Sequence, residues 1–314
     1  MITLEQKERR KKGLFASDIA RVMTGDGVRV ALEKMGEIEP DNLDGVTSVE
    51  LGNILEKPVL DAYVATQSPD VLIRSPDTIY HPDYDWLGCH LDGLARFPNS
   101  KRVVEAKAFS AFNREGWGDP GTDEVPLPRM WQCMAQIAIT GASQADIPIC
   151  FVNEKALAQF LTSGTVPIET YIIPRNEDLI AYMIDEAKKL WNKVSAGELP
   201  DPVNPGDADI IYRRASAGKI VDAPENLVEL HHALRDVRKR LKEVEDSKLL
   251  IESQIKSYMQ DAAELRYHGK ALVTWKNNKD GEDFDKDAFK KTNPDLYQQF
   301  CSKKPGARPF LLKE

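Results

Sequence analysis

Two carboxylates and a lysine in one short segment have the types and the spacing of a metal-dependent catalytic centre. Apolar and polar residues alternate through residues 86–109 on both sides of a turn at residues 98–99, which predicts a β-hairpin. A two-residue turn there places Asp92 directly across from Glu105, with Cβ atoms roughly 5 Å apart. Lys107 follows Glu105 on the same face of its strand. Because facing carboxylates repel each other, the hairpin predicts a divalent metal site with a lysine beside it.

Asp92, Glu105 and Lys107 also fit the D…E-x-K pattern of metal-dependent phosphodiester cleavage. Carboxylate oxygens are suitable ligands for Mg²⁺, and the main-chain carbonyl of Ala106 could supply another. The metal would lower the pKa of a bound water and stabilise charge on the phosphate, while the ammonium group orients the water or stabilises the developing charge. The motif E-x-K alone is frequent by chance, so its position on a strand opposite an aspartate is the informative feature.

Two predicted helices could bring further polar side chains to this hairpin. Residues 49–66 predict a helix that Pro58 kinks or breaks, with Glu56 on a face next to the apolar one. The apolar helix predicted after the hairpin has Gln132 and Gln136 on one face. Taken alone, Glu56 is a surface carboxylate, and the two amides could equally well hydrogen-bond within the core.

The N-terminal segment contains a candidate anion site. Ser17 is predicted to cap a helix whose apolar face includes Ile19 and Val22. The capped end of a helix offers N–H groups and partial positive charge to an anion, and Arg9 and Arg10 lie a few residues upstream. An ordinary serine cap beside a solvated basic arm is the alternative.

The composition of the 314-residue chain excludes several classes of protein. A hydrophobic content of 42% is enough for one sizeable core and leaves room for a second module. The net charge of −8 argues against an overall basic surface, although a local positive groove for nucleic acid is compatible with it. No apolar run approaches the ~20 residues of a membrane span, and the first residues lack the apolar segment of a secretory signal. The four cysteines show no CxxC spacing, which indicates neither a zinc site nor a disulfide framework, and we expect a soluble cytoplasmic protein.

The C-terminal third of the chain has a different pattern. A linker is predicted at residues 206–224, between a domain of residues 1–205 and a module of residues 225–314. A helix is predicted from residue 227 to residue 265, with apolar residues at alternating three- and four-residue steps and Lys248 at the one polar position. Such a seam needs a partner helix, so we expect oligomer contacts or recruitment of another protein. Packing of this helix against the N-terminal domain is the alternative.

Five short motifs follow one another along the first two thirds of the chain: RKKGLFASDIA, LGNILE, HLDGLA, VVEAKAF and PRMWQCMAQ. Together they resemble the motifs of the lambda-exonuclease-like, YqaJ-type viral recombinase nucleases of the PD-(D/E)xK superfamily. The resemblance covers about residues 7–200 and implies an α/β (α+β) fold with a restriction-endonuclease-like core. In that core, helices flank a mixed central β-sheet. The C-terminal helical, coiled-coil module lies beyond the residues that the resemblance covers.

The resemblance implies a role for each polar residue at the hairpin. Asp92 and Glu105 would hold the metal, with the carbonyl of Ala106 as a further ligand. Lys107 would be the catalytic lysine, and Glu56 would complete the shell of the metal, directly or through water. The implied ion is Mg²⁺, with Mn²⁺ as an alternative.

Other matching positions imply contacts with DNA. Gln132 would contact the attacking water or the scissile strand, with Gln136 as the alternative. Arg10 and Ser17 would hold the 5′-phosphate of a DNA end. Arg9 competes with Arg10 for this role because the spacing to the following glycine shifts here.

The reaction implied by the resemblance is 5′-to-3′ digestion of one strand of linear double-stranded DNA, which leaves a 3′ single strand for a phage annealing protein. Family members are typically ring-shaped trimers, and the implied setting is a phage or prophage protein in the cytoplasm of a bacterial host. A site-specific or structure-specific endonuclease on the same core is one alternative. A non-catalytic DNA-binding or assembly protein is another. The iron–sulfur branch of the superfamily is disfavoured because the cysteines are not clustered.

Overall fold

The structure is a computed structural model that describes residues 10–302 and 306–313. Arg9, the competitor of Arg10, therefore lies outside the described residues. The chain divides into two compact units, one ending at residue 212 and the other beginning at residue 213. No helix in the described ranges is both long enough and apolar enough to cross a membrane.

The first unit is built on a seven-stranded mixed sheet. Its strands are β1 (Leu14–Phe15), β2 (Val71–Tyr80), β3 (Leu87–Phe97), β4 (Ser100–Val104), β5 (Lys107–Ser110), β6 (Gln144–Val152) and β7 (Glu169–Pro174). β2 pairs with one edge of β3 and is antiparallel to it. On the other edge of β3, β4 pairs antiparallel with its second half, and β1 pairs in parallel with its first two residues. β6 pairs in parallel with both β4 and β5, and β7 lies antiparallel on its far side.

The predicted hairpin and its register are confirmed in β3 and β4. The two strands pair from the turn at residues 98–99 as far as Gly93 and Val104, the register expected to bring Asp92 opposite Glu105. The ladder ends there, because the N–H of Glu105 donates to the main-chain carbonyl of Asp146 in β6 at 3.0 Å. Two residues thus leave the strand at the position of the candidate site.

The strand resumes in β5 without a change of register. Val104 pairs with Asp146, and three residues later Lys107 pairs with Ile149. β4 and β5 are therefore one strand with a local interruption, and Lys107 lies on the same side of it as Glu105.

Helices cover both faces of the sheet. Four pack on one face: α1 (Ala16–Arg21), α2 (Gly27–Met35), α4 (Leu127–Thr140) and α6 (Glu177–Ala196). Two pack on the other: α3 (Thr47–Gln67) and α5 (Glu154–Ser163). Each face encloses its own apolar cluster, so the strand that holds Glu105 is buried on both sides. The prediction of a mixed sheet flanked by helices is confirmed.

Of the kink or break predicted at Pro58, the break does not occur. α3 continues through Pro58 from Thr47 to Gln67. A proline removes the hydrogen bond to the carbonyl four residues earlier, here that of Ile54. Ile54 is 59% exposed, so water can satisfy this carbonyl, while buried Leu55 and Val59 hold the helix against the sheet.

The end of the first unit lies within the predicted linker. A short helix, α7 (Asp207–Ile211), follows residue 206, and the buried carboxylate of Asp207 accepts hydrogen bonds from the N–H groups of Val203 and Asn204. The side chain of Asn204 in turn donates to the main-chain carbonyl of Gly25. Residues 203–207 are therefore fixed to the first unit by specific polar contacts.

The described residues of the second unit form one long helix, a hairpin and two short helices. They are α8 (Glu225–Met259), β8 (Glu264–Tyr267), β9 (Lys270–Thr274), α9 (Lys286–Thr292) and α10 (Pro294–Gln299). The prediction that the long helix reaches Leu265 is wrong, since Leu265 pairs with Val273 in the hairpin. The hairpin turns at His268 and Gly269, both with positive φ. The last residues of the predicted helix therefore belong to strand β8.

Candidate active site

An irregularity in β3 directs the side chain of Asp92. Leu91 and Leu94 both contact the apolar cluster beneath α4, although they are three residues apart and a regular strand would send them to opposite faces. The pairing of β3 with β2 shifts register over the same stretch. Bulges of this kind re-aim side chains next to active sites. Oδ2 of Asp92 accepts a hydrogen bond from the N–H of Ala106 at 2.9 Å, across the interrupted strand.

Glu105 is the centre of the hydrogen-bond network. Its carboxylate is buried, and two amides from α4 reach it. Nε2 of Gln132 donates to Oε1 at 2.5 Å, and Nε2 of Gln136 donates to Oε2 at 2.6 Å. Because the two glutamines lie one helical turn apart, a single face of α4 fixes both oxygens. The sequence left Gln132 and Gln136 as alternatives, and the structure brings both to Glu105.

Lys107 lies within the same network. Its ammonium group contacts Oε1 of Glu105 and donates to the main-chain carbonyl of Ala106 at 3.2 Å. Burial opposes the charge of Lys107, but the nearby Glu105 and Asp92 outweigh it and raise the pKa of the lysine. Lys107 is therefore a fixed cation beside the two carboxylates.

Asp92 shows that the site has an excess of negative charge. Burial and the neighbouring Glu105 raise its pKa to about 8, and Glu56 adds to the shift, while Lys107 and the N–H of Ala106 oppose it. Glu56 therefore interacts electrostatically with Asp92. Glu56 also accepts a hydrogen bond from Arg74 at 3.1 Å and is partly exposed.

The oxygen atoms at this site are suitable ligands for a hard divalent cation. No group of three or more His, Cys, Asp or Glu side chains within the described residues has the arrangement of a metal site. The oxygens of Asp92, Glu105 and the carbonyl of Ala106 are nevertheless the type that Mg²⁺ prefers. The raised pKa of Asp92 means that added positive charge here is favourable. A cation that binds Oε1 of Glu105 must share it with, or take it from, Lys107 and Gln132.

Arg10 and Ser17 come together as predicted, but the prediction that Ser17 caps the helix is wrong. The Arg10 guanidinium donates to the hydroxyl of Ser17 at 2.6 Å. The helix cap is Phe15, whose N–H donates to the carboxylate of Asp18 at 2.9 Å. Asp18 is held in turn by the buried ammonium of Lys34 at 2.6 Å, so it takes the capping role and leaves Ser17 within the first turn.

Aromatic rings join this corner to the hairpin. The Arg10 guanidinium lies 5.5 Å from the centroid of the Phe15 ring, and that ring stacks on His90 with centroids 5.3 Å apart. His90 precedes Asp92 by two residues in β3, a distance of about 7 Å along a strand. The ring contacts therefore link the Arg10–Ser17 corner to the strand that carries Asp92.

The close approach of β1 to β3 depends on glycine. The N–H of Leu14 donates to the carbonyl of Trp86 at 2.7 Å. A Cβ atom on Gly13 would lie 2.4 Å from this carbonyl oxygen, far inside van der Waals contact. Gly13 therefore permits the approach that positions Arg10 and Ser17.

Arg129 is a residue of the site that the sequence did not single out. Its guanidinium donates to Oε1 of Gln132 at 3.3 Å and lies 5.3 Å from the centroid of the Phe109 ring. Within the described part of the chain it makes no ion pair with a carboxylate. A cation in the first turn of a helix is placed unfavourably with respect to the helix dipole. An arginine one turn before a glutamine of the site was the available signal.

A second unpredicted group anchors α3 and β6. The hydroxyl of Tyr63 donates to Oδ2 of buried Asp146 at 2.7 Å, and Arg102 donates to the same oxygen at 3.2 Å. The carbonyl of Asp146 accepts the N–H of Glu105, so this group supports the strand interruption. Tyr63 follows Glu56 by two helical turns and fixes the helix on which Glu56 lies. An aspartate inside an apolar strand was the signal in the sequence.

Comparisons with known proteins found one family model and several solved structures that are similar to this chain. Residues 5–143 match the model of the YqaJ-like viral recombinase domain. Among solved structures, the alkaline exonuclease LHK-Exo of Laribacter hongkongensis is 18% identical, with a TM-score of 0.46 over 62% of this chain and 94% of that one. A phage-related exonuclease of Haemophilus somnus is 15% identical, with a TM-score of 0.44 over 59% of this chain and 96% of that one. A search of curated proteins found no match. The matched residues 5–143 include every candidate site residue.

Proposed function

We propose that the first unit is a metal-dependent exonuclease that digests linear double-stranded DNA in the 5′-to-3′ direction. The observation that supports this most is the convergence of Asp92, Glu105 and Lys107 with the amides of α4 at the interrupted strand. The family match supports the nuclease role independently.

The metal would be held by Asp92, Glu105 and the carbonyl of Ala106, and Glu56 would reach its shell directly or through water. Mg²⁺, or Mn²⁺ in its place, would activate a water molecule and neutralise charge on the phosphate. Lys107 would orient the attacking water and stabilise the charge that develops on the phosphate oxygens, because its ammonium is already fixed beside both carboxylates.

The amides of α4 would position the metal ligand. Gln132 and Gln136 hold the two oxygens of Glu105, and ligands held in this way need little reorganisation when the metal binds. Gln132 is the more exposed of the two and would also contact the water or the scissile strand. Arg129, hydrogen-bonded to Gln132, would bind a phosphate of the scissile strand.

The 5′-phosphate would bind at Arg10 and Ser17. A guanidinium and a hydroxyl at hydrogen-bond distance offer several donors to one phosphate group. Arg10 is linked through the rings of Phe15 and His90 to the strand that carries Asp92, and recognition of a terminal phosphate there fits cleavage close to a strand end. This pair is the feature that favours an exonuclease over an endonuclease.

The product and the setting follow from the same proposal. Digestion of one strand leaves a 3′ single strand, the substrate of a phage-type annealing protein in the cytoplasm of a bacterial host. We propose a trimeric ring for the nuclease, with residues 1–205 as the catalytic domain, residues 206–224 as the linker and residues 225–314 as a separate module.

Digestion of linear duplexes with a 5′-phosphate or a 5′-hydroxyl, in Mg²⁺, tests the proposal. We expect faster digestion of the phosphorylated duplex and loss of at least 100-fold in rate in Lys107→Ala. Lys57→Ala, an exposed lysine on α3 next to Glu56, is the matched control and should keep wild-type activity. Wild-type activity in Lys107→Ala would remove the lysine from the mechanism, and indifference to the phosphate would remove the role of Arg10 and Ser17.

A closed circular duplex separates the rival functions. An exonuclease leaves the circle intact, whereas a site-specific or structure-specific endonuclease on the same core cuts it. A DNA-binding protein without activity would retain linear DNA in Mg²⁺ and release no nucleotides. The complete set of Asp92, Glu105 and Lys107 argues against that last alternative.

A further inference from the structure

The long helix α8 has an apolar seam that the described residues leave open. Leucine, valine, isoleucine and tyrosine recur at three- and four-residue steps, at positions 227, 230, 234, 237, 241, 244, 251, 255 and 258. Val237, Leu241, Val244 and Ile251 are each more than half exposed. A run of this length with heptad spacing is typical of a coiled-coil seam, which needs a facing helix to bury it.

The charges of α8 are divided between its two halves. Residues 225–242 contain five Lys and Arg against three Asp and Glu, and residues 243–259 contain four Asp and Glu against two Lys. The boundary falls between Lys242 and Glu243. The positive half of one copy faces the negative half of a second copy only when the two helices run in opposite directions.

The apolar seam selects the same arrangement. In an antiparallel pair centred between Lys242 and Glu243, Leu241 of one copy faces Val244 of the other, and every apolar position of the seam meets a seam position. Lys248 then lies opposite Val237 and can extend its ammonium past the apolar layer to water. A parallel pair would instead place Lys248 against Lys248 inside the seam.

The flanking residues add charge pairs in this register. Arg238 and Glu245 both lie beside the seam, at equivalent positions of successive heptads. An antiparallel pair brings Arg238 of each copy beside Glu245 of the other. Lys239 and Asp246, one residue further on, point away from the seam and make no such contact.

We propose that α8 binds α8 of a second copy of this chain as an antiparallel coiled coil centred between Lys242 and Glu243. The contact is independent of the nuclease chemistry. If the first units also form rings, this contact links one ring to another.

Cysteine cross-linking of the full-length chain tests the direction of pairing. Three native cysteines are buried and Cys301 is exposed, so Cys301→Ser provides the background. Val237→Cys and Lys248→Cys are made separately, one with an affinity tag, then mixed and oxidised mildly. We expect a disulfide dimer of the two different chains. Each variant alone should give little, because its own copies would lie about 16 Å apart along the axis.

The other outcomes overturn the proposal in distinct ways. Strong cross-linking of each variant with itself would mean a parallel pair. An absence of cross-links in both the mixture and the separate variants would mean that another protein, or another part of this chain, covers the seam. Asp246→Cys, on the outward face of the same helix, is the control for random collision and should give no dimer.

Charge reversal provides a second measurement that does not depend on oxidation. Arg238→Glu should weaken self-association of the full-length chain about tenfold, since two attractive pairs become repulsive. Adding Glu245→Arg should restore it, whereas Lys239→Glu should have no effect. Equal effects of Arg238→Glu and Lys239→Glu, or failure of the double variant to recover, would contradict the register.

Discussion

Substitution of Gln136 by methionine separates the function of the α4 amides from their contribution to stability. Gln136 is fully buried, and its amide N–H donates to Glu105 at 2.6 Å. A hydrogen bond to a charged group contributes about 1.5–3 kcal/mol. The carbonyl of the same amide has no partner in the described structure, which costs about 1–3 kcal/mol. Methionine has a similar volume and removes both the hydrogen bond and the unpaired carbonyl. The two effects largely cancel, so the free energy of unfolding should fall by about 1 kcal/mol or less.

The effect on metal binding should be much larger. Without Gln136, Oε2 of Glu105 loses its donor from α4, and the carboxylate is held through Oε1 alone. Loss of a group that orients a metal ligand typically lowers metal affinity or activity about 10–100-fold. We expect Gln136→Met to need about 10–100 times more Mg²⁺ for half-maximal DNA digestion, with a change of only about 2–4 °C in Tm.

The assay is a Mg²⁺ titration of nuclease activity beside a thermal melt. Ile137→Val is the matched control, because it removes one buried methylene from the next position of α4 and costs about 0.5–1.5 kcal/mol without contacting Glu105. Its Mg²⁺ requirement should match that of the wild type. If Gln136→Met also keeps the wild-type requirement, the amide does not position the metal ligand and the reasoning is refuted.

Three further predictions follow from the same structure. Gly13→Ala places a Cβ against the carbonyl of Trp86, so it should displace β1 and abolish the preference for a 5′-phosphate. The preference is measured as the ratio of the digestion rates of phosphorylated and unphosphorylated duplexes. An unchanged ratio would show that the Arg10–Ser17 corner does not bind the phosphate. In metal-free protein the pKa of Asp92 is raised to about 8, so the folded state keeps a proton that the unfolded state has already lost, and the stability of the wild type should fall as pH rises from about 5 to 8. The stability of Asp92→Asn relative to the wild type should therefore increase by up to about 1 kcal/mol per pH unit over this range and then level off. Parallel dependence of the two melting temperatures on pH would contradict this. Tyr63→Phe removes the donor to Asp146 and should lower the free energy of unfolding by about 2 kcal/mol in urea; a loss below about 0.5 kcal/mol would mean that the hydroxyl does not anchor α3.

The hairpin could be predicted because its determinants are local. Alternation and a two-residue turn fix which residues face each other, and the observed pairing follows that register. The interruption at Glu105 and Ala106 could not be predicted in this way, since it depends on a hydrogen bond from Glu105 to Asp146, 41 residues later in the chain. The meeting of Gln132 and Gln136 at one carboxylate likewise depends on how α4 packs over the sheet.

The errors also have physical causes. Ser17 has the residue type of a helix cap, but a buried Asp18–Lys34 ion pair makes the neighbouring carboxylate the better acceptor. Pro58 was expected to kink or break its helix, and the break does not occur because tertiary packing on the sheet outweighs one lost hydrogen bond. The apolar spacing of α8 continues to Leu265, but Leu265 lies in a strand that pairs with β9 through a turn with two positive φ angles.

The central proposal is that Asp92, Glu105 and Lys107 remove nucleotides from the 5′ end of a linear duplex. The most direct measurement uses one duplex labelled at the 5′ end of one strand and another labelled at its 3′ end, each digested in Mg²⁺ by the full-length protein. The proposal predicts immediate release of the 5′ label as a short product, late release of the 3′ label, and no release of either by Lys107→Ala. Early release of the 3′ label, or internal fragments that retain the 5′ label, would contradict it.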